Sequence, residues 1–412
     1  METRTTSLRP SQTGTALEVF IAFLKMGLTC FGGPIAHIGY FRREFVEQRG
    51  WLDDASYSDL VGLCQFLPGP ASSQVGFSIG LLRAGWLGGL AAWCGFTLPS
   101  ALLLMAFAAI APTLSGTAGH GLIHGLKLVA VAVVAQAVWD MARRLCPDHR
   151  RAAIALAAIA MLGVLNTPYA QLMVIGLGAV LGFLMCRTPV STDLDQTRHD
   201  THEFGISRLA AGFALILFCA LLFGLPALKA VLHASHALDV FEAFYRSGAL
   251  VFGGGHVVLP LLQKATVSTG WVPPGDFLAG YGAAQAVPGP LFSFAAFLGW
   301  VMVPAPHHWT GAMLATAGIF LPGLLLVVAA LPYWLLIRTH PSTAALLRGV
   351  NAAVVGLLAS ALYSPVWTSA VLSEFDFAIA VVGFFLLTRW KVPPLVVVLL
   401  CVAAGVAETL VH

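Results

Sequence analysis

The sequence predicts an all-α polytopic membrane protein made of two copies of one unit, with Gly/Pro-broken helices. Three observations predict it. The chain has 412 residues, of which 58% are hydrophobic and only 10% charged, against about 25% charged in soluble domains. Its mean hydropathy is +0.84, and several apolar runs reach the roughly 20 residues that a bilayer-spanning helix needs. The third observation is internal repetition. Phe31-Gly32-Gly33-Pro34 returns as Phe252-Gly253-Gly254-Gly255, and CQFLPGP from Cys64 returns as AQAVPGP from Ala284. FTLPS from Phe96 returns as IFLPG from Ile319, and the long run from His124 to Trp139 returns from Arg348 to Tyr363. Four blocks in one order, 220 to 224 residues apart, mark a duplication.

The elements follow in order. Residues 1–16 are polar, with Arg4 and Arg9, and read as a cytoplasmic N-terminus with no signal peptide. The first repeat, 17–186, holds apolar segments at about 17–41, 58–82, 86–111, 121–142, 152–165 and 167–186. Residues 187–237 hold a cytoplasmic linker, acidic and basic by turns, and an unpaired membrane segment at about 207–226. The second repeat, 238–412, echoes the first at about 238–261, 278–302, 309–336, 345–366, 375–390 and 393–410. That makes about 13 membrane segments. The stretch 152–186 reads equally as two crossings or as a re-entrant pair, because Asn166-Thr167-Pro168 interrupts it.

Lys and Arg fix the sidedness, since cytoplasmic loops are enriched in them. With thirteen crossings and the N-terminus inside, fifteen fall inside and four outside. If only the first segment of each repeat fails to cross, the split drops to eleven against eight. Thirteen crossings are therefore expected, with the C-terminus periplasmic. Six crossings plus the unpaired seventh start the second repeat from the opposite face. The repeats are then inverted, an arrangement that supports one state open to each side.

The chemistry is expected at the breaks. Proline inside a helix frees a carbonyl, and in hydrocarbon that group must find a partner or line a cavity. The half-helices after Gly33, Gly254, Gly69 and Gly289 begin with free N–H groups and a positive dipole end, which bind anions. Ser72, Ser73 and Gln74 follow one break and Ser293 another, and Gln65 and Gln285 precede the two PGP elements as repeat equivalents. The plain alternative is that the breaks only kink helices. Lys25 and Arg246, also repeat equivalents, stand six residues before Phe31 and Phe252. Intramembrane cations are costly and mark functional sites; the alternatives are snorkelling or pairing with Glu18 and Glu242. Lys127 either pairs with Asp140 or snorkels, or it joins His37, His124 and His256 as a candidate for coupling to protons.

Other functions are disfavoured. No cysteine or histidine spacing gives a metal or disulfide framework, so no metal and no cofactor are expected. His199 and His202 read as solvated linker residues. No basic patch suggests nucleic acid. A membrane enzyme acting on lipid phosphate needs an acid–base or nucleophile cluster, and none stands beside the breaks.

FGGPIAH (from Phe31), RGWL (from Arg49), CQFLPGPASSQ (from Cys64), RAGWLGG (from Arg83) and FTLPS resemble the N-terminal half of the chromate ion transporter family. FGGGHVVLP (from Phe252) and GYGAAQAVPGPLFSFAAFLG (from Gly280) resemble its C-terminal half. The resemblance spans most of 17–390 and is to the long, two-domain form. It implies chromate export across the bacterial inner membrane, chromate resistance, and competition by sulfate, a similar tetrahedral dianion. An oxyanion importer or exchanger is the alternative, and a homo-oligomer is compatible with either. Export suits a chain with few buried acids. Each charge leaving a negative interior gains about 2.3 kcal/mol per 100 mV, so a dianion gains roughly 4.6.

Overall fold

The computed structural model describes residues 14–114, 116–165, 167, 170–186, 206–232, 235–252, 254–333 and 341–411. Every regular element among them is helical. Five helices are long and apolar enough to cross a membrane, and shorter apolar helices accompany them. The molecule is a polytopic helical membrane protein.

The break at Gly32-Gly33 folds the chain back on itself. Helix α1 (Ala16–Thr29) starts at the Thr15 cap, whose hydroxyl accepts from Glu18 N. It ends before Gly32, which adopts the left-handed region at φ 97° and opens α2 (Gly33–Phe41). A continuous helix would separate Lys25 from Glu44 by about 28 Å. Instead Lys25 Nζ lies 2.8 Å from Glu44 Oε2, and the Phe23 ring stacks 4.6 Å from Phe45. The two arms lie side by side.

The PGP break does the same. Helix α3 (Asp54–Phe66), capped by Asp53, runs in, and α4 (Ala71–Ile110) runs out. Trp51 precedes α3 and Arg83 closes the first arm of α4. Yet the Arg83 guanidinium lies 5.1 Å from the Trp51 ring and also bonds Glu18, at the start of α1. Residues 18, 51 and 83 therefore share one face. At Ala84-Gly85 the backbone leaves helical geometry. A Cβ on Gly80 would then overlap the Gly88 carbonyl, so α4 is itself a tight hairpin. Its second arm, from about residue 86, carries the chain across.

The second half repeats this plan. Helix α8 (Arg208–Cys219) continues through a π turn into α9 (Leu225–Leu232). Then α10 (His236–Ala249) and α11 (Val258–Leu262) pair, as do α12 (Pro274–Ala286) and α13 (Phe294–Val301). His236 packs 4.7 Å from Trp271, and Val303 N donates to Trp271 O at 2.9 Å. Trp51 and Trp271, 220 residues apart, thus close equivalent pairs of hairpins. The segments read from sequence as crossings at 17–41, 58–82, 238–261 and 278–302 each turn back at the break. The glycines permit a full reversal where a broken crossing was expected.

The remaining helices are α5 (Thr117–Leu145), α6 (His149–Val164), α7 (Ala170–Met185), α14 (His308–Ala330), α15 (Pro341–Ala361), α16 (Glu374–Thr388) and α17 (Pro394–Val411). Arg150 at the start of α6 donates to Met185 O at the end of α7, so those two form a hairpin of their own. The closing hairpins are exchanged between halves. Helix α17 packs on α5, and α7 packs on α15. Glycines make the contact close: a Cβ on Gly125 would lie 2.6 Å from Cys401 O, and one on Gly349 would overlap Gly178 O.

Two outcomes are expected. Gly349→Val should cost about 3 kcal/mol by overpacking, read as a lower unfolding midpoint in detergent. In a cysteine-free background, Gln48→Cys should be labelled from the same membrane face as Arg389→Cys and from the opposite face to His307→Cys. Labelling of Gln48→Cys together with His307→Cys would overturn the fold-back.

Candidate functional site

The candidate site is where the hairpin tips meet. Gly69 N donates to Val251 O at 2.8 Å, and Gly289 N donates to Cys30 O at 2.9 Å. Cys30 and Val251 are repeat equivalents, as are Gly69 and Gly289. One bond is therefore the pseudo-two-fold image of the other. Both glycines have positive φ, 121° and 101°, which a side chain would resist. A Cβ on Gly69 would stand 3.0 Å from Gly323 Cα, and one on Gly289 2.9 Å from Ser100 Oγ. Ser100 and Gly323 are again equivalents. A Cβ on Gly255 would stand 3.2 Å from Pro34. Each tip thus rests on the other half of the chain.

The tips present helix starts. Helix α2 begins at Gly33, and α4 begins at Ala71 after Pro70, with no side-chain cap on either. In the second half the starts are 3-10 turns, Gly255–Val257 after Gly254 and Leu291–Ser293 after Pro290. These are the four expected half-helix starts, though the second pair begins more tightly wound.

Ser72, Ser73, Gln74 and Ser293 are all buried. Gln74 Nε2 donates to Pro68 O at 2.9 Å and to Gly323 O at 3.0 Å, bracing the PGP turn against the opposite half. Ser293 Oγ donates to Pro290 O at 2.6 Å. His37, 1% exposed, faces Ser72 Oγ at 3.4 Å from Nδ1. His256 Nδ1 pairs with the Tyr281 hydroxyl at 2.8 Å. Among the described residues, His37 Nε2, Ser73 Oγ, Gln74 Oε1, Thr97 Oγ1 and Gln285 Nε2 are buried without a hydrogen-bond partner. Each such group costs about 1–3 kcal/mol. All five stand on the elements that build the tips. Thr97 was not singled out from sequence, although it lies inside the repeated FTLPS block.

Other expected residues lie apart from this cluster. Lys25 bonds Glu44, not Glu18, and its side chain is half exposed; Glu44 also takes Arg49 at 2.9 Å. Glu18 takes Arg83 instead. Arg246 pairs with Glu242 one turn earlier, at 3.3 Å. Gln65 is exposed, unlike half-buried Gln285. Lys127 reaches the start of α12, where a Cβ on Gly275 would stand 3.2 Å from its Nζ. The Phe252–Gly255 break is described except for Gly253. His199 and His202 lie outside the described residues.

A family model described as Chromate transporter matches the chain twice, over residues 17–183 and 238–406. A chromate transport protein of Pseudomonas aeruginosa is 29% identical over 96% of this chain and 92% of its own length. A probable chromate transport protein of Synechococcus elongatus is 29% identical, over 92% and 93%. A chromate transport protein of Cupriavidus metallidurans is 25% identical, over 86% and 84%. No solved structure matches.

Gln74→Ala should remove two bonds that brace the tip and lower stability by about 1–3 kcal/mol. Thermal unfolding of the purified variant measures this. An unchanged midpoint would mean that the tips hold without that brace.

Proposed function

The chain belongs to the chromate transporter family, and from that premise we propose that it exports chromate from the cytoplasm by alternating access and so gives chromate resistance. The observation that carries the site is the meeting of four hairpin tips from both halves, joined by reciprocal backbone bonds. Helix starts brought together at the tips favour a small oxyanion. In this reading the freed N–H groups beyond Gly33, Gly69, Gly254 and Gly289 take the anion's oxygens. Ser72, Ser73 and Gln285 orient it, while Gln74 and Ser293, whose donors go to the Pro68, Gly323 and Pro290 carbonyls, hold the turns in place; exposed Gln65 stands at the edge of the site. Lys25 and Arg246, each already beside a carboxylate, act through their field. His37, His256 and Lys127 are the proposed coupling groups. The two repeats are 17–186 and 238–412, divided by the linker and the unpaired segment.

Sidedness supports the same reading. If every hairpin with a Gly/Pro tip returns to its own face, each half crosses four times and the unpaired segment crosses once. The second half is then inverted. Among the described residues, Arg42, Arg43, Arg49, Arg83, Arg143, Arg144, Arg150, Arg151, Arg208, Arg348, Arg389 and Lys391 fall on one face. With the intramembrane Lys25, Lys127 and Arg246 set aside, only Lys229 and Lys264 fall on the other. Thirteen crossings divide the same fourteen residues ten to four. The positive-inside rule favours the fold-back arrangement and makes the richer face cytoplasmic. The proposed place is the bacterial inner membrane, with the N-terminus inside and the C-terminus periplasmic. Sulfate is the expected competitor.

Everted inner-membrane vesicles containing the protein should accumulate chromate when the potential draws anions inward. Ser72→Ala/Ser73→Ala should lower the initial rate about tenfold while leaving insertion unchanged, and excess sulfate should slow uptake. Rates equal to those of empty vesicles, with folded and inserted protein, would overturn chromate export.

A further inference from the structure

A concavity of about 360 Å³ opens where the start of α6, the end of α7 and the N-terminal part of α15 come together. Asp148, Arg150, Arg151, Met185, Cys186 and Arg348 line it. Arg150 Nη1 donates to Met185 O at 2.8 Å, and Arg348 Nη1 donates to Cys186 O at 2.9 Å. The closing carbonyls of α7 thus hold two guanidinium groups at the rim. Arg151 Nε lies 2.6 Å from Asp148 Oδ2. The Arg151 backbone and side chain hold the Asp148 carboxyl below the usual carboxylate range, so it stays ionised. Among the described residues that line the concavity, three carry a guanidinium group and one a carboxylate.

The repeat supplies an internal control. The α5–α16–α17 junction is the image of this one. Asp148 and Ser373 are the equivalent caps of α6 and α16. Arg151 answers to Asp376, Arg348 to His124 and Met185 to Glu408. There His124 Nε2 meets Asp376 Oδ1 at 2.5 Å, and Ser373 Oγ lies 3.5 Å from Glu408 Oε1. The same three-helix packing is therefore built with acids at one end and with arginines at the other. The packing does not require the arginines. On the same two helices, α6 and α7, Leu156 and Leu184 are each 66% exposed and Phe183 is 37% exposed, an apolar surface. A guanidinium fork matches the oxygens of a phosphate, and basic pockets between helices on the cytoplasmic side suit anionic headgroups.

We propose that this concavity binds the phosphate of an anionic phospholipid, strapping α15 of the second half to the α6–α7 hairpin of the first. The headgroup sits among Arg150, Arg151 and Arg348, and the acyl chains lie over Leu184 and Leu156. The choice of leaflet rests on the proposed cytoplasmic placement of this face. Cysteine labelling reads that placement and the binding assay reads the lipid, so each can fail without the other.

The test is native mass spectrometry of the full chain in neutral detergent, titrated with phosphatidylglycerol, phosphatidylcholine or inorganic phosphate. Phosphatidylglycerol adducts should form at concentrations where phosphatidylcholine gives few. Arg150→Gln/Arg348→Gln should weaken them about tenfold, whereas His124→Gln at the equivalent junction should not. Arg348→Lys, which keeps the charge, should retain part of the binding and so separates lost charge from lost folding. Equal binding by the double Gln variant would overturn the site. Inorganic phosphate displacing the lipid at equal concentration would overturn the lipid assignment in favour of a free oxyanion.

Discussion

A backbone amide or carbonyl stranded in hydrocarbon is the constraint that organises this molecule. Four helices stop inside the protein, at Cys30, Leu67, Leu250 and Val287, and each stop frees polar groups. The solution is reciprocal. The carbonyl at Cys30 takes the Gly289 amide, and the carbonyl at Val251 takes the Gly69 amide. Side-chain amide bonds from Gln74 satisfy Pro68 and Gly323 as well. Because each half supplies what the other lacks, the tips register against one another and the site lies between them. Ser73 Oγ, Thr97 Oγ1 and Gln285 Nε2 are donors left there without a partner.

Packing repeats the same reciprocity farther out. Small residues let α5 receive α17 and let α15 receive α7 at backbone contact, as expected where association in lipid relies on close van der Waals fit. The halves are therefore interlocked at two levels, the tips and the closing hairpins. A shift of one half relative to the other must slide both.

Much of this was legible in the sequence. The duplication, the membrane class, the breaks and the polar residues after them follow from composition and spacing. What periodicity did not reveal is that each break reverses the chain. A glycine pair and a PGP element are compatible with either a kink or a turn, and the outcome is set by contacts such as Phe23 on Phe45 that lie nineteen or more residues apart. A signal was nevertheless present. Arg42, Arg43 and Arg49 sit oddly on an outer face, and Gly50-Trp51 recurs as Gly270-Trp271 at each closing point. Considering both early segments of a repeat as fold-backs together, instead of one alone, brings the charges onto one side. Lys25 also resisted prediction, because Glu44 reaches it only when the arms lie side by side, whereas Arg246 takes Glu242 on its own helix, the pairing read from sequence as the alternative.

The reciprocal tip bonds carry a consequence for assembly. A half of this chain made alone would hold an unanswered carbonyl at Cys30 and an unanswered amide at Gly69. It would be a complementation partner in search of its mate. Joining the halves in one polypeptide turns that search into an intramolecular event, with the linker setting an effective concentration of the missing half. Fusion thereby fixes a one-to-one stoichiometry. It also frees each half to drift chemically from the other, as the arginine junction and its acidic image have done.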